Sequence, residues 1–135
     1  MTNPTLARDY LDRARKRFKA LGVLFEEAAF ADVVRESQEL VELVLKAVLR
    51  SFGIRVPLSH DVSEAFTEHA PRLPAEMTPL IPRWCAISKH LRKDRELAFY
   101  GSEDLTPSTF YSRADAAEAK SMAEEVLTSA ARWIV

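Results

Sequence analysis

Arg83 and His90 stand seven residues apart, nearly two turns of a helix, so a helix would carry both on one face about 10 Å apart. A histidine serves as a general base near neutral pH, and an arginine holds a phosphate or stabilises charge developing on it. The plainer reading is the basic flank of a helix. His60 precedes Asp61, but adjacency alone does not make a base and its orienting acid; a loop histidine bonded near a helix start is the simpler account. His69 falls at an expected helix end and reads as solvated. The histidines show no H-E-x-x-H or other metal-ligating spacing, so no metal site is expected.

The densest basic run is Lys89-His90-Leu91-Arg92-Lys93-Asp94-Arg95, followed closely by Phe99 and Tyr100. Guanidinium groups beside aromatic rings can hold phosphates and stack a base. A second run, Arg13, Arg15, Lys16, Arg17 and Lys19, is tempered by Asp9 and Asp12. Either run is also what an ordinary solvated helix face looks like. Over the whole chain 19 Lys+Arg face 20 Asp+Glu, so any basic site is a local patch and not a global field.

These residues need elements to position them, and glycine usage says which kind. Only 3 of 135 residues are glycine, against a typical share of about 7%. Gly22, Gly53 and Gly101 lie too far apart for a phosphate-cradling loop, so no nucleotide cofactor of the P-loop or dinucleotide type is expected. A sandwich or barrel would need more glycine-rich turns. The chain is expected to be all-α.

Five segments have helical periodicity. The first runs from about Thr5 to Ala28 on Leu6, Tyr10, Ala14, Phe18, Leu21 and Phe25, with Gly22 suggesting close packing or a bend. The second, about Phe30 to Phe52, has two adjacent apolar rows, flanked by Arg35/Glu39 and Glu42/Lys46, and Gly53 as its stop. Asp61 and Glu64 resemble a capping pair for a short third helix to about His69. Four prolines make 71–82 mostly loop. A fourth helix then reaches Tyr100 on Trp84, Ile87, Leu91 and Ala98. Ser112 and Asp115 cap the last helix, which runs to the C-terminus through Ala116, Ala119, Ala123, Val126, Ala130 and Trp133. Long amphipathic helices with short links pack as an antiparallel bundle, here one domain over 1–135, with surplus apolar surface that suits a homodimer. The lone Cys85 excludes an intramolecular disulfide and fits a reducing compartment. The start lacks the apolar core of a secretion signal, and no run approaches the ~20 apolar residues of a membrane span. A cytoplasmic protein without membrane contact is expected.

The pattern Phe30–Leu49, FADVVRESQELVELVLKAVL, resembles the second helix of HEPN domains, the higher eukaryote and prokaryote nucleotide-binding family. The likeness continues through His60–Val62, Arg95–Gly101 (RELAFYG), Tyr111 and Asp115–Val126, in order over nearly the whole chain. The resemblance implies an up-and-down bundle of four to five helices, usually homodimeric. It also implies a minimal nucleotidyltransferase as partner, in pairs that resemble toxin–antitoxin systems. Many members are ribonucleases with an R-x4–6-H motif. Here the aligned segment runs from Arg95 to Tyr100 and ends in tyrosine where the family has histidine. Tyrosine, with an ordinary pKa of about 10, donates a hydrogen bond or stacks but is a poor base. The leading expectation is therefore a nucleotide-, RNA- or partner-binding dimer. Its site would comprise Arg92, Arg95, Tyr100 and His60, with Arg95 gripping phosphate and no catalytic residue. The alternative is a ribonuclease toxin using Arg83 and His90.

Overall fold

The computed structural model describes residues 4–56, 61–103 and 106–134, with the backbone alone at 4 and 94–99. Among these residues there are helices and no strands. The all-α expectation holds. Four long helices, α1 (Pro4–Glu26), α2 (Phe30–Ser51), α4 (Ile81–Tyr100) and α6 (Arg113–Ala130), form the bundle. Two short ones, α3 (Val62–Glu68) and α5 (Pro107–Phe110), join them.

The two apolar rows of α2 explain why it sits at the centre. Thirteen of its 22 residues are buried, including Val33, Leu40, Val44 and Val48 from one row and Val41, Leu45 and Leu49 from the other. Helices α1, α4 and α6 all pack on it. Gly53 stops α2 as expected: at φ 75° its amide donates to the Arg50 carbonyl, and the Ile54 amide reaches back to Leu49.

Directions follow from cross-helix contacts. Arg17 of α1 bonds Glu36 of α2 at 3.0 Å, closing a hairpin whose turn holds Ala28 at φ 58°, in the left-handed region. Lys120 of α6 lies over the Phe18 ring, and Arg113 lies over Phe25 and Phe30, so α6 runs antiparallel to α1. Arg83 and His90 of α4 meet Glu125 and Glu118 of α6, stepping in opposite senses. The result is up-down-up-down order.

Local chemistry sets the ends. Asp61 accepts from the Ser63 amide and caps α3. Ser112 and Asp115 form the reciprocal capping box of α6, with bonds of 3.2 and 2.8 Å. The Pro71–Pro82 stretch is not all loop: two 3-10 turns, Ala70–Arg72 and Ala75–Met77, use its prolines, and Pro82 sits in the first turn of α4, where a missing N–H costs nothing. Gly22 needs correction. A Cβ there would meet nothing within 4 Å, and α1 runs through it unbroken, so no neighbour demands a glycine. The buried line of α1 is Ala7, Leu11, Ala14 and Leu21, with Tyr10, Phe18 and Phe25 half-buried along its edge. Small residues let α1 approach α2 closely, and the rings seal the margin.

Candidate functional site

Helix α4 carries most of the expected site, and its cations divide by what they face. Arg83 is held by Glu125 through two bonds, Nε to Oε2 at 2.8 Å and Nη2 to Oε1 at 3.1 Å. The hydrogen bond from Arg83 holds the Glu125 carboxyl below the ordinary glutamate value, and Glu125 in turn raises Arg83. One residue on, the Trp84 indole donates to Ser129 Oγ at 2.8 Å. Two turns on, His90 Nε2 lies 3.5 Å from Glu118 Oε1. Arg83 and His90 do share a face, but it is the face that meets the acids of α6. Between these helices His90, Tyr111, Asp115 and Glu118 line a cleft of about 40 Å³, room for a water or two and far too small for a nucleotide.

Further along α4 the neighbour is different. Arg92 crosses to α2 and donates from Nη1 to Glu42 Oε1 at 2.8 Å, with side-chain exposures of 32% and 11%. A guanidinium has five N–H donors, so holding one carboxylate leaves capacity for a second anion. Lys89 and Lys93 are exposed on either side of it. Tyr100, the last residue of α4, is 74% exposed. Arg95 stands on α4 three residues after Arg92; its side chain lies outside the described residues.

His60 lies outside the described residues. Its neighbour Asp61 is occupied in capping α3, accepting from the Ser63 amide and hydroxyl. Asp61 also borders a pocket of about 220 Å³ with Arg55, Glu64, Glu68 and His69. Three carboxylates make that pocket unattractive to phosphate. Burial pushes the Cys85 thiol up, away from the thiolate that a nucleophile would need. Among the described residues no three His, Cys, Asp or Glu side chains gather as metal ligands, and no helix is long and apolar enough to cross a membrane.

Sequence reasoning missed Glu42, Glu118 and Glu125. The spacing of α2 suggested Lys46 as the partner of Glu42, whereas the bond runs to Arg92, fifty residues away. The signal lay in α6 itself: Glu118 and Glu125 are seven apart, the same interval as Arg83 and His90, which is what antiparallel helices need to pair in register.

The family model for the HEPN domain matches residues 7–133. No curated protein and no solved structure gives a significant match. The match takes in all four bundle helices and both short ones. The chain belongs to the HEPN domain family.

Proposed function

We propose that this protein binds a nucleotide or RNA strand at the C-terminal half of α4, working as a homodimer. The observation that carries the reading is the division of cations along that helix. Arg83 and His90 are matched by acids of α6, whereas Arg92 turns to Glu42 of α2, and Lys89 and Lys93 stand exposed within one turn of it. In this reading Arg95 grips phosphate, and the exposed Tyr100 supplies a ring face or hydroxyl. Family likeness alone extends the proposal to a minimal nucleotidyltransferase as partner, in a toxin–antitoxin-like pair; co-elution of the two proteins tests it. The ribonuclease alternative requires Arg83 to leave its bidentate bond with Glu125, which disfavours it.

Fluorescence anisotropy with a labelled 20-nucleotide uridine RNA tests the site. Binding should weaken steeply between 50 and 200 mM salt and fall in Arg95→Ala. Salt-independent binding, or wild-type affinity in Arg95→Ala, would overturn it. Incubation with mixed RNA in EDTA tests the alternative: cleavage lost in His90→Ala would favour the enzyme. Light scattering should give about twice 15.3 kDa for the particle.

A further inference from the structure

Helix α2 buries a polar side chain that the bundle leaves unsatisfied. Gln38 is 1% exposed, and neither its amide oxygen nor its amide nitrogen has a hydrogen-bond partner among the described residues. A buried amide without partners costs free energy that an apolar side chain of the same shape would not. Its place is bracketed along the helix. Val34, one turn before it, lines the small cleft with His90 and Leu91 of α4, and Glu42, one turn after it, accepts from Arg92 of α4. Gln38 therefore lies on the α4 side of α2, with Glu42 as its i,i+4 neighbour. Glu42 is mostly buried, whereas Arg92 is about one third exposed and can turn outward while Glu42 cannot follow. Departure of Arg92 would leave a buried carboxylate without a counter-charge, which costs far more than an unpaired amide.

We infer that Gln38 is a standby donor for Glu42: when a ligand phosphate draws Arg92 outward, the Gln38 amide takes over the carboxylate that Arg92 leaves. The inference rests on the reading of Arg92 as part of a phosphate site on α4. In the free protein the ion pair is made and the amide goes without a bond. In the bound protein Arg92 holds phosphate and the amide N–H donates to Glu42, so fewer buried groups are left unmet. The unpaired amide thus raises the free state relative to the bound one. Residue type and spacing both suit this role. A lysine at position 38 would compete with Arg92 for Glu42, and an apolar residue could not donate at all. Four residues bring the two side chains onto one helix face, within reach of each other. Ser37 makes the contrast. Its hydroxyl is equally buried and has no partner among the described residues, but it lies on the row of Val33, Leu40 and Val44, five residues from Glu42 and turned away from it.

The test pairs anisotropy of the full chain with the uridine 20-mer and urea unfolding. Gln38→Met keeps the length of the side chain and removes the amide. It should raise the urea midpoint and yet bind RNA about fivefold or more weakly, opposite signs that a packing role would not give. In a Glu42→Gln background no carboxylate is stranded, so adding Gln38→Met should change affinity by less than about twofold. Ser37→Ala should leave affinity unchanged. Should Gln38→Met fail to fold, Gln38→Asn, whose amide stops one methylene short of Glu42, should show the same loss and the same dependence on Glu42. Equal losses in both backgrounds would assign Gln38 to packing and overturn the inference. So would wild-type affinity in Gln38→Met while Arg92→Gln binds poorly, which leaves the α4 site standing. Wild-type affinity in Arg92→Gln would remove Arg92 from the phosphate site and defeat the inference with it.

Discussion

The two edges of α6 are held by opposite chemistry. Along the edge toward α4, Glu118 and Glu125 take His90 and Arg83, and Ser129 takes the Trp84 indole. Along the edge toward α1, Arg113 and Lys120 lie over the rings of Phe25, Phe30 and Phe18 at 5.0 to 5.3 Å. Between them Ala116, Ala119, Ala123 and Ala130 pack inward against α2. One edge therefore depends on ionised carboxylates and the other on cations over π faces. Arg83 and His90 are the cations of α4 that meet acids of α6 among the described residues.

The edges can be separated by substitution. Trp84→Ala removes a buried ring and its bond to Ser129, and should cost about 3–5 kcal/mol in urea unfolding. Trp84→Phe should retain most of that stability. Arg92→Gln, at the neighbouring α2–α4 seam, strands the mostly buried Glu42 and should cost about 1–3 kcal/mol, recovered in part by adding Glu42→Gln. Arg113→Ala should cost about 0.5–1 kcal/mol through its cation–π contacts. Ala28→Gly, in the turn between the two rings that Arg113 covers, relieves a positive φ and should gain about 0.5–1 kcal/mol.

Glu125→Gln should give a small loss whose dependence on pH identifies the acidic edge. The Glu125 carboxyl is depressed in the folded protein, so its contribution is complete above the ordinary glutamate value of 4.5. It fades as pH falls through the lower folded value. Wild type and Glu125→Gln should therefore differ at pH 7 and converge below pH 4.5, whereas the loss in Arg113→Ala should be the same at both. Convergence at high pH, or a pH-dependent Arg113→Ala loss, would break the comparison.

Much of this architecture was legible because helices advertise themselves locally. The double row of α2, the Ser112–Asp115 box and the Gly53 stop each lie within a few residues. Helix α5 was not, since four residues contain no period. The α1 stripe was read through its rings, because large side chains dominate a pattern; the buried line beside them is half alanine. Partner choice was least legible. The matched seven-residue intervals permit Arg83 and His90 to pair with Glu125 and Glu118, but the packing register that selects this pairing, and that turns Arg92 to Glu42, is set by the whole bundle. Of the site, Arg92, Tyr100 and the exposed lysines could be placed on α4 from sequence; which cations had already been neutralised could not.

Photocrosslinking tests the ligand site most directly. RNA carrying 4-thiouridine, irradiated with the full chain and mapped by peptide mass, should place adducts on the α4 segment that ends at Tyr100. Adducts confined to α3 and its acidic pocket, or none at low salt, would contradict the assignment.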